Sequence, residues 1–158
     1  SLDRLRSLSA AVADDGTELL VWPENALGFG LVGNDDLVGR VASVARGAAM
    51  LLGAPRTVEH DGGVRFRNTA FLVGCDGRLA GHYDKIRLTP WAEYLPLRLG
   101  GFGRREWAAA DRYEPGEART LFPVAGHRFA TMICFEAVYP ELAREFVLAG
   151  AEFLVNLS

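Results

Sequence analysis

The chain has 158 residues, 49% of them hydrophobic and 23% charged, with a formal net charge of −3; this is the balance of one folded domain with a core, not of a disordered segment. The acidic charge and the lack of a basic tract argue against a general nucleic-acid binder, and no apolar run reaches the length of a membrane span, nor does a signal peptide open the chain. Two cysteines, Cys75 and Cys134, are too few for a disulfide scaffold, although a single bridge between them stays open.

Leu2, Leu5, Leu8 and Val12 recur at helical spacing until "ADDGTE" breaks the pattern. The apolar run from Leu19 to Trp22 reads as a buried strand. "NDDLVGRVASVARGAA" predicts a second helix, capped by Asn34 or Asp35, with Leu37, Val41 and Val44 on its apolar face. "AMLLGAP" reads as a short buried strand. "VRFRNTAFLVG" and "RLAGHYDK" read as two strands joined through a hairpin at "CDG". From Pro90 to Gly116 the pattern is irregular. "HRFATMICF" predicts a strand, "PELAREFVLAGA" a helix opened by Pro140 with Glu141 in its first turn, and "EFLVNLS" a last strand. Alternating strands and helices with hairpins between them predict an α/β fold with a mixed sheet. The chain starts at Ser1 without Met and stops at Ser158 on a strand-like run, so residues 1–158 read as one domain cut at both ends.

Three of these strands end at a reactive side chain: Glu24 in "VWPE", Lys85 in "GHYDK" and Cys134 in "ATMIC". Sites in α/β sheets form beyond the carboxyl ends of strands. An acid, an amine and a thiol gathered there make a set for acyl transfer, with a base for the thiol, a cation for the oxyanion and a nucleophile. Taken singly, each also has a bland reading: Glu24 as a turn cap, Lys85 as a solvated charge, Cys134 as a small core residue.

The words around the three residues are "VWPENAL", "YDKIRLTPWAEYLPL" and "ICFEAVYPELAR". With "RNTAFLVG" and "LVNLS", they resemble the nitrilase (carbon–nitrogen hydrolase) superfamily over nearly the whole chain. The run Leu-Thr-Pro-Trp-Ala-Glu-Tyr-Leu-Pro after Lys85 looks most like the apolipoprotein N-acyltransferase branch of that superfamily. That resemblance implies an α-β-β-α sandwich. It implies Glu24 as general base, Lys85 as oxyanion-stabilising lysine and Cys134 as nucleophile, with Glu93 and Glu136 as supporting acids. Trp91, Tyr94 and Phe135 fall on the substrate wall. Two of them depart from the branch pattern, with Phe135 where a Tyr is usual and Trp91-Ala92 in place of Phe-Gly. The chain also ends where the family pattern continues with Asn-Asp and an aromatic residue.

The resemblance further implies a phospholipid acyl donor, a diacylglyceryl-cysteine lipoprotein as acceptor, and no cofactor. It implies a place on the extracytoplasmic face of a bacterial cytoplasmic membrane, within a longer membrane protein. The irregular segment fits such a surface as an apolar lid: Trp91, Leu95, Leu97, Leu99, Phe102 and Trp107 stand among Arg98, Arg104 and Arg105. The rival readings are a soluble amidase with water as acceptor and a non-catalytic binding module on the same fold. His60, His82 and His127 form no metal-ligand spacing.

Overall fold

The computed structural model describes residues 2–14, 16–60, 63–94 and 113–158. Most of the expected lid (Leu95, Leu97, Arg98, Leu99, Phe102, Arg104, Arg105 and Trp107) lies outside the described residues. Strands β1 (Leu19–Val21), β2 (Ala49–His60), β3 (Gly63–Val73) and β4 (Leu79–Asp84) form one sheet in the order β1-β2-β3-β4. Strands β5 (Leu121–Val124), β6 (His127–Ile133) and β7 (Phe153–Leu157) form a second sheet in sequence order. β1 runs parallel to β2 and β6 parallel to β7, and the other pairs are antiparallel. Each parallel pair is joined through a helix, as a parallel crossover requires: α2 (Asp35–Ala42) in the first sheet, α3 (Pro140–Leu148) in the second.

Side chains alternate across the first sheet. Met50, Leu52, Ala54, Phe71 and Val73 face Leu37, Val38, Val41 and Val44 of the α2 region. Ala49, Leu51, Ala70, Leu72 and Tyr83 join Phe122, Phe129, Ile133 and Leu157 of the second sheet and Leu142 and Phe146 of α3. Phe146 meets the Tyr83 ring edge-on, with centroids 5.7 Å apart. These two apolar clusters, on either side of the first sheet, give the α-β-β-α order implied by the sequence. Burying one such Leu or Phe fully stabilises by roughly 1.5–3 kcal/mol, so both faces hold the sheet firmly.

Three details differ from the sequence reading. α1 (Leu2–Val12) forms, but Leu8 and Val12 are exposed and its buried residues are Ser9 and, just beyond its end, Ala13. The reason is Trp22, whose buried indole N–H needs an acceptor and donates to Ser9 Oγ at 2.8 Å. β2 does not stop at Pro55 but continues to His60 against β3. Pro is tolerated there because β1 pairs only as far as Leu51, leaving the other edge of β2 free of ladder partners. β5 was not foreseen. It pairs with β6 through the two-residue turn Ala125-Gly126, both at positive φ (48° and 85°), the conformation of a tight hairpin.

At the mouth of the first sheet, Arg56 and Arg67 sit directly opposite each other on β2 and β3, an arrangement of like charges that weakens a pair of strands. Asp84 at the end of β4 offsets it. Its carboxylate pairs with Arg56, with Arg67 Nη1 at 3.2 Å and with Thr69 Oγ1 at 2.7 Å. Arg67 also reaches Glu114 at 2.7 Å. Burial pushes the Asp84 carboxyl up, but hydrogen bonds from Arg56, Thr69 and Arg67 outweigh it and hold the group below its ordinary range. Gly116 lies on this corner: its N–H donates to Lys85 O at 2.8 Å, and a Cβ there would meet Asp84 O at 2.3 Å.

Replacing Asp84 with Ala leaves two facing guanidiniums half-buried. An expected loss of about 3 kcal/mol in urea unfolding near neutral pH follows. Because the folded carboxyl titrates below its unfolded value, the wild-type advantage is present above pH 3.8 and fades as pH falls below it. Equal stability of the two proteins at neutral pH would remove Asp84 from this role.

Candidate active site

Glu24, Lys85 and Cys134 stand just beyond the carboxyl ends of β1, β4 and β6, and the fold brings them together. Glu24 is reached through a tight pass of two backbones. Trp22 N–H donates to Leu51 O at 2.8 Å, and Gly53 N–H donates to Pro23 O at 3.2 Å. A Cβ on Gly53 would lie 2.7 Å from Glu24 Cα and from Asn25 N, so only glycine lets the segment lie on β2. Lys85 is 1% exposed, a rare state for an ammonium without partners. Its Nζ lies 2.8 Å from Glu93 Oε2, 2.9 Å from Thr89 Oγ1 and 3.8 Å from Glu24 Oε1.

Cys134 opens a 3-10 turn (Cys134–Val138) where the sequence reading continued the strand. Its φ is +52°, a left-handed conformation that costs a non-glycine residue of order 1–3 kcal/mol. Glu136, 0% exposed, holds that turn. Its Oε1 accepts from Tyr83 Oη at 2.8 Å, Ile86 N at 2.8 Å and Arg87 N at 2.9 Å, and its Oε2 accepts from Ile133 N at 2.8 Å. Burial pushes the Glu136 carboxyl up, against the pull of these four donors. Tyr83 is pushed above its ordinary range by burial and then by Glu136, which keeps its hydroxyl a donor.

Burial pushes the Cys134 thiol up, and the charge of Glu24 and a hydrogen bond to it act in the same direction. Lys85 and the Phe135 backbone N–H pull the other way. The sulfur thus stands among an acid that raises its pKa and an ammonium and a backbone N–H that lower it. That arrangement can pass a proton from sulfur to oxygen and stabilise an oxyanion.

Glu93 is placed in the cluster, paired with Lys85. Trp91 is 50% exposed with φ +68°, and Tyr94 is exposed beside it; Trp91 N–H donates to Tyr94 O at 2.8 Å. Phe135 packs edge-on against Tyr139 at 5.7 Å, and Arg87 stacks on the same Tyr139 ring. The sequence reading missed Asn68, whose Nδ2 donates to Glu24 Oε1 and Glu93 Oε1, both at 2.7 Å. It also missed Thr89, whose N–H donates to Glu93 Oε2 at 2.7 Å. Asn68 stands between Arg67 and Thr69 in "RNTAFLVG", where nothing local sets it apart. Among the described residues, no group of His, Cys, Asp or Glu is arranged to hold a metal ion.

A family described as carbon-nitrogen hydrolase matches residues 1–158. The chain is 32% identical over 151 residues to an apolipoprotein N-acyltransferase of Geobacter metallireducens, covering 94% of this chain and 29% of that protein. It is 34% identical over 149 residues to an apolipoprotein N-acyltransferase of Rhizobium meliloti, covering 85% of this chain and 28% of that protein. The chain thus spans less than a third of these relatives. Among solved structures, a mutant of the Nesterenkonia AN1 amidase from the nitrilase superfamily superposes with a TM-score of 0.71 at 21% identity, covering 99% of this chain and 57% of that one. The likeness establishes the fold as nitrilase-like.

The electrostatics give Glu24 a testable signature. With the thiol held up from its ordinary 9.0, alkylation of Cys134 should keep rising with pH above that value in a Cys75→Ala background. Glu24→Gln removes both the charge and the carboxylate acceptor that raise the thiol. Thiolate becomes more abundant, and alkylation near neutral pH should speed up severalfold, at roughly tenfold per unit of pKa. Slower alkylation in Glu24→Gln at every pH would refute this account of the pair.

Proposed function

Because the chain belongs to the carbon–nitrogen hydrolase family, we propose that it is the catalytic part of an apolipoprotein N-acyltransferase. It moves an acyl chain from a phospholipid, through a thioester on Cys134, to the N-terminal amine of a diacylglyceryl-cysteine lipoprotein. The observation that carries this reading is the convergence of Glu24, Lys85 and Cys134 at three strand ends in a chain similar to proteins of that name.

Glu24 takes the thiol proton as sulfur attacks the ester carbonyl. The S–C bond forms, the C–O bond breaks, and the proton passes to the departing alkoxide, releasing a lysophospholipid. The amine then attacks the thioester. The C–N bond forms, the C–S bond breaks, and the amine's proton returns through Glu24 to sulfur. In both steps the oxyanion sits between Lys85 and the Phe135 N–H. An ammonium has three protons. Two are engaged by Glu93 and Thr89, and Glu24 at 3.8 Å lies beyond hydrogen-bond length, so the third is free for the oxyanion.

The membrane setting follows from the same reading. The domain faces the extracytoplasmic side of a bacterial cytoplasmic membrane as part of a longer protein. No described helix is long and apolar enough to cross a membrane. Trp91 and Tyr94, both exposed, would meet acyl chains on this reading.

Intact-mass spectrometry of the full-length protein, incubated with phospholipid vesicles of one defined acyl chain, tests the reading. An acyl increment should survive Cys75→Ala, vanish in Cys134→Ala, and be discharged by a diacylglyceryl-cysteine peptide faster than by water. A Cys134 that alkylates readily yet never takes up acyl would overturn the acyltransferase and leave a C–N hydrolase with water as acceptor.

A further inference from the structure

Asn68 lies in β3 with 2% of its surface exposed. Its backbone carbonyl accepts from Lys85 N at 2.8 Å, so the residue is fixed to the strand end that carries the lysine. Both side-chain N–H groups are spent, one on Glu24 Oε1 and one on Glu93 Oε1, each at 2.7 Å. Asn68 Oδ1 is fully buried and has no hydrogen-bond partner. Such an orphan acceptor is uncommon in folded proteins. Turning the amide over would relieve nothing, because it would aim a carbonyl oxygen at two carboxylates, which offer no proton to it. The amide is held in its direction by the two acids and leaves its own oxygen unmet.

The carboxylates it joins have different neighbours. Glu93 has three donors: Oε1 takes the amide, and Oε2 takes Thr89 N–H at 2.7 Å and Lys85 Nζ at 2.8 Å. Glu24 stands a full ångström further from the same ammonium, at 3.8 Å, and its charge is felt by the Cys134 thiol, which it helps push up. Without a fixed donor between them, two acids beside one buried ammonium would both close on it.

We propose that Asn68 is the positioning residue for Glu24: its amide, spanning Glu24 and Glu93, assigns Lys85 to Glu93 and Cys134 to Glu24. The groups facing it come from four places. Glu24 follows β1, Lys85 and Glu93 follow β4, Cys134 follows β6, and Tyr113 stands on Phe66 of β3, its hydroxyl pushed up by burial and then by Glu93 and Glu24. Asn68 touches no reacting atom and acts through Glu24. The proposal shares with the proposed function its assignment of Cys134 as nucleophile, yet thiol reactivity needs no acyl donor, so the two can fail separately.

The test is a double-mutant cycle read by Cys134 alkylation, in the full-length protein with Cys75→Ala as background. In Asn68→Ala, Glu24 closes on Lys85 and leaves the thiol, so alkylation near neutral pH should rise severalfold, in the direction expected of Glu24→Gln. Adding Asn68→Ala to Glu24→Gln should then change nothing further, because a residue that acts through Glu24 has no second effect once that carboxylate is gone. The isosteric Asn68→Asp guards against a packing effect. It keeps the volume of the amide and removes both of its N–H donors, so its alkylation near neutral pH should depart from wild type in the same direction as Asn68→Ala. Equal effects of Asn68→Ala with and without Glu24→Gln would overturn the proposal, as would a wild-type profile in both single variants. Loss of the cooperative melting transition in both would assign Asn68 to the fold alone.

Discussion

Lys85 and Cys134 belong to different sheets, and their separation is fixed by the Glu136 carboxylate. Ile86 and Arg87 follow Lys85 directly, and Ile133 precedes Cys134; all three donate their backbone N–H to the same buried group. Tyr83, two residues before the lysine, adds its hydroxyl. A carboxylate wholly removed from water carries a desolvation cost of several kcal/mol, and only several aligned donors offset it. Here the donors are the backbone on either side of the two reactive residues. Any shift of one sheet over the other would leave part of a buried charge unmet. A hydrophobic contact between the sheets, being non-directional, would tolerate such a slide.

With that distance set, the chemistry depends on how one ammonium is shared between two acids. Lys85 is buried, and Glu93, Thr89 and the Asn68 carbonyl on its backbone hold it still. A lysine held this way is a fixed cation rather than a mobile one, and its position costs no reorganisation when negative charge develops. Glu24 is left in the looser place, tied to Asn68 and to the thiol. On the proposed reading, that place suits a group that takes up and returns a proton.

The strand ends carrying Glu24 and Cys134 were legible because each follows an apolar run that stops at a reactive side chain, whereas "RLAGHYDK" is half polar and its Lys85 stood out only by the words around it. The hairpin at "CDG" and the capped helix after Asn34 were legible for a similar reason, since Gly77 at φ +76° and the Asn34 side chain on Leu37 N–H are local devices. What escaped the sequence is set by tertiary contact. Gly53 and Gly116 look like any other glycine until another backbone lies within 3 Å. The Ala125-Gly126 turn lacks the Asn or Asp that usually marks it, and so hid β5. Ser9 and Trp22 show their partnership only when α1 is laid against β1. Asn68 carries no signal of its role, because the two acids it joins lie 44 residues before it and 25 after it in the chain.

The raised thiol fits this division of labour. A thiolate at rest would repel Glu24, draw Lys85 away from Glu93 and be open to any electrophile in solvent. A thiol beside an acid avoids all three, and on the proposed reading it would become the nucleophile once an acyl carbonyl lay between Lys85 and the Phe135 N–H. On that reading charge would flow from sulfur to an oxyanion faced by two donors already in place, with Glu24 beside the sulfur to take the proton. Cys134 holds its left-handed φ at the head of the 3-10 turn, and Glu136 in that turn ties it to Ile133 N–H of the second sheet and to Ile86 and Arg87 N–H just past the first.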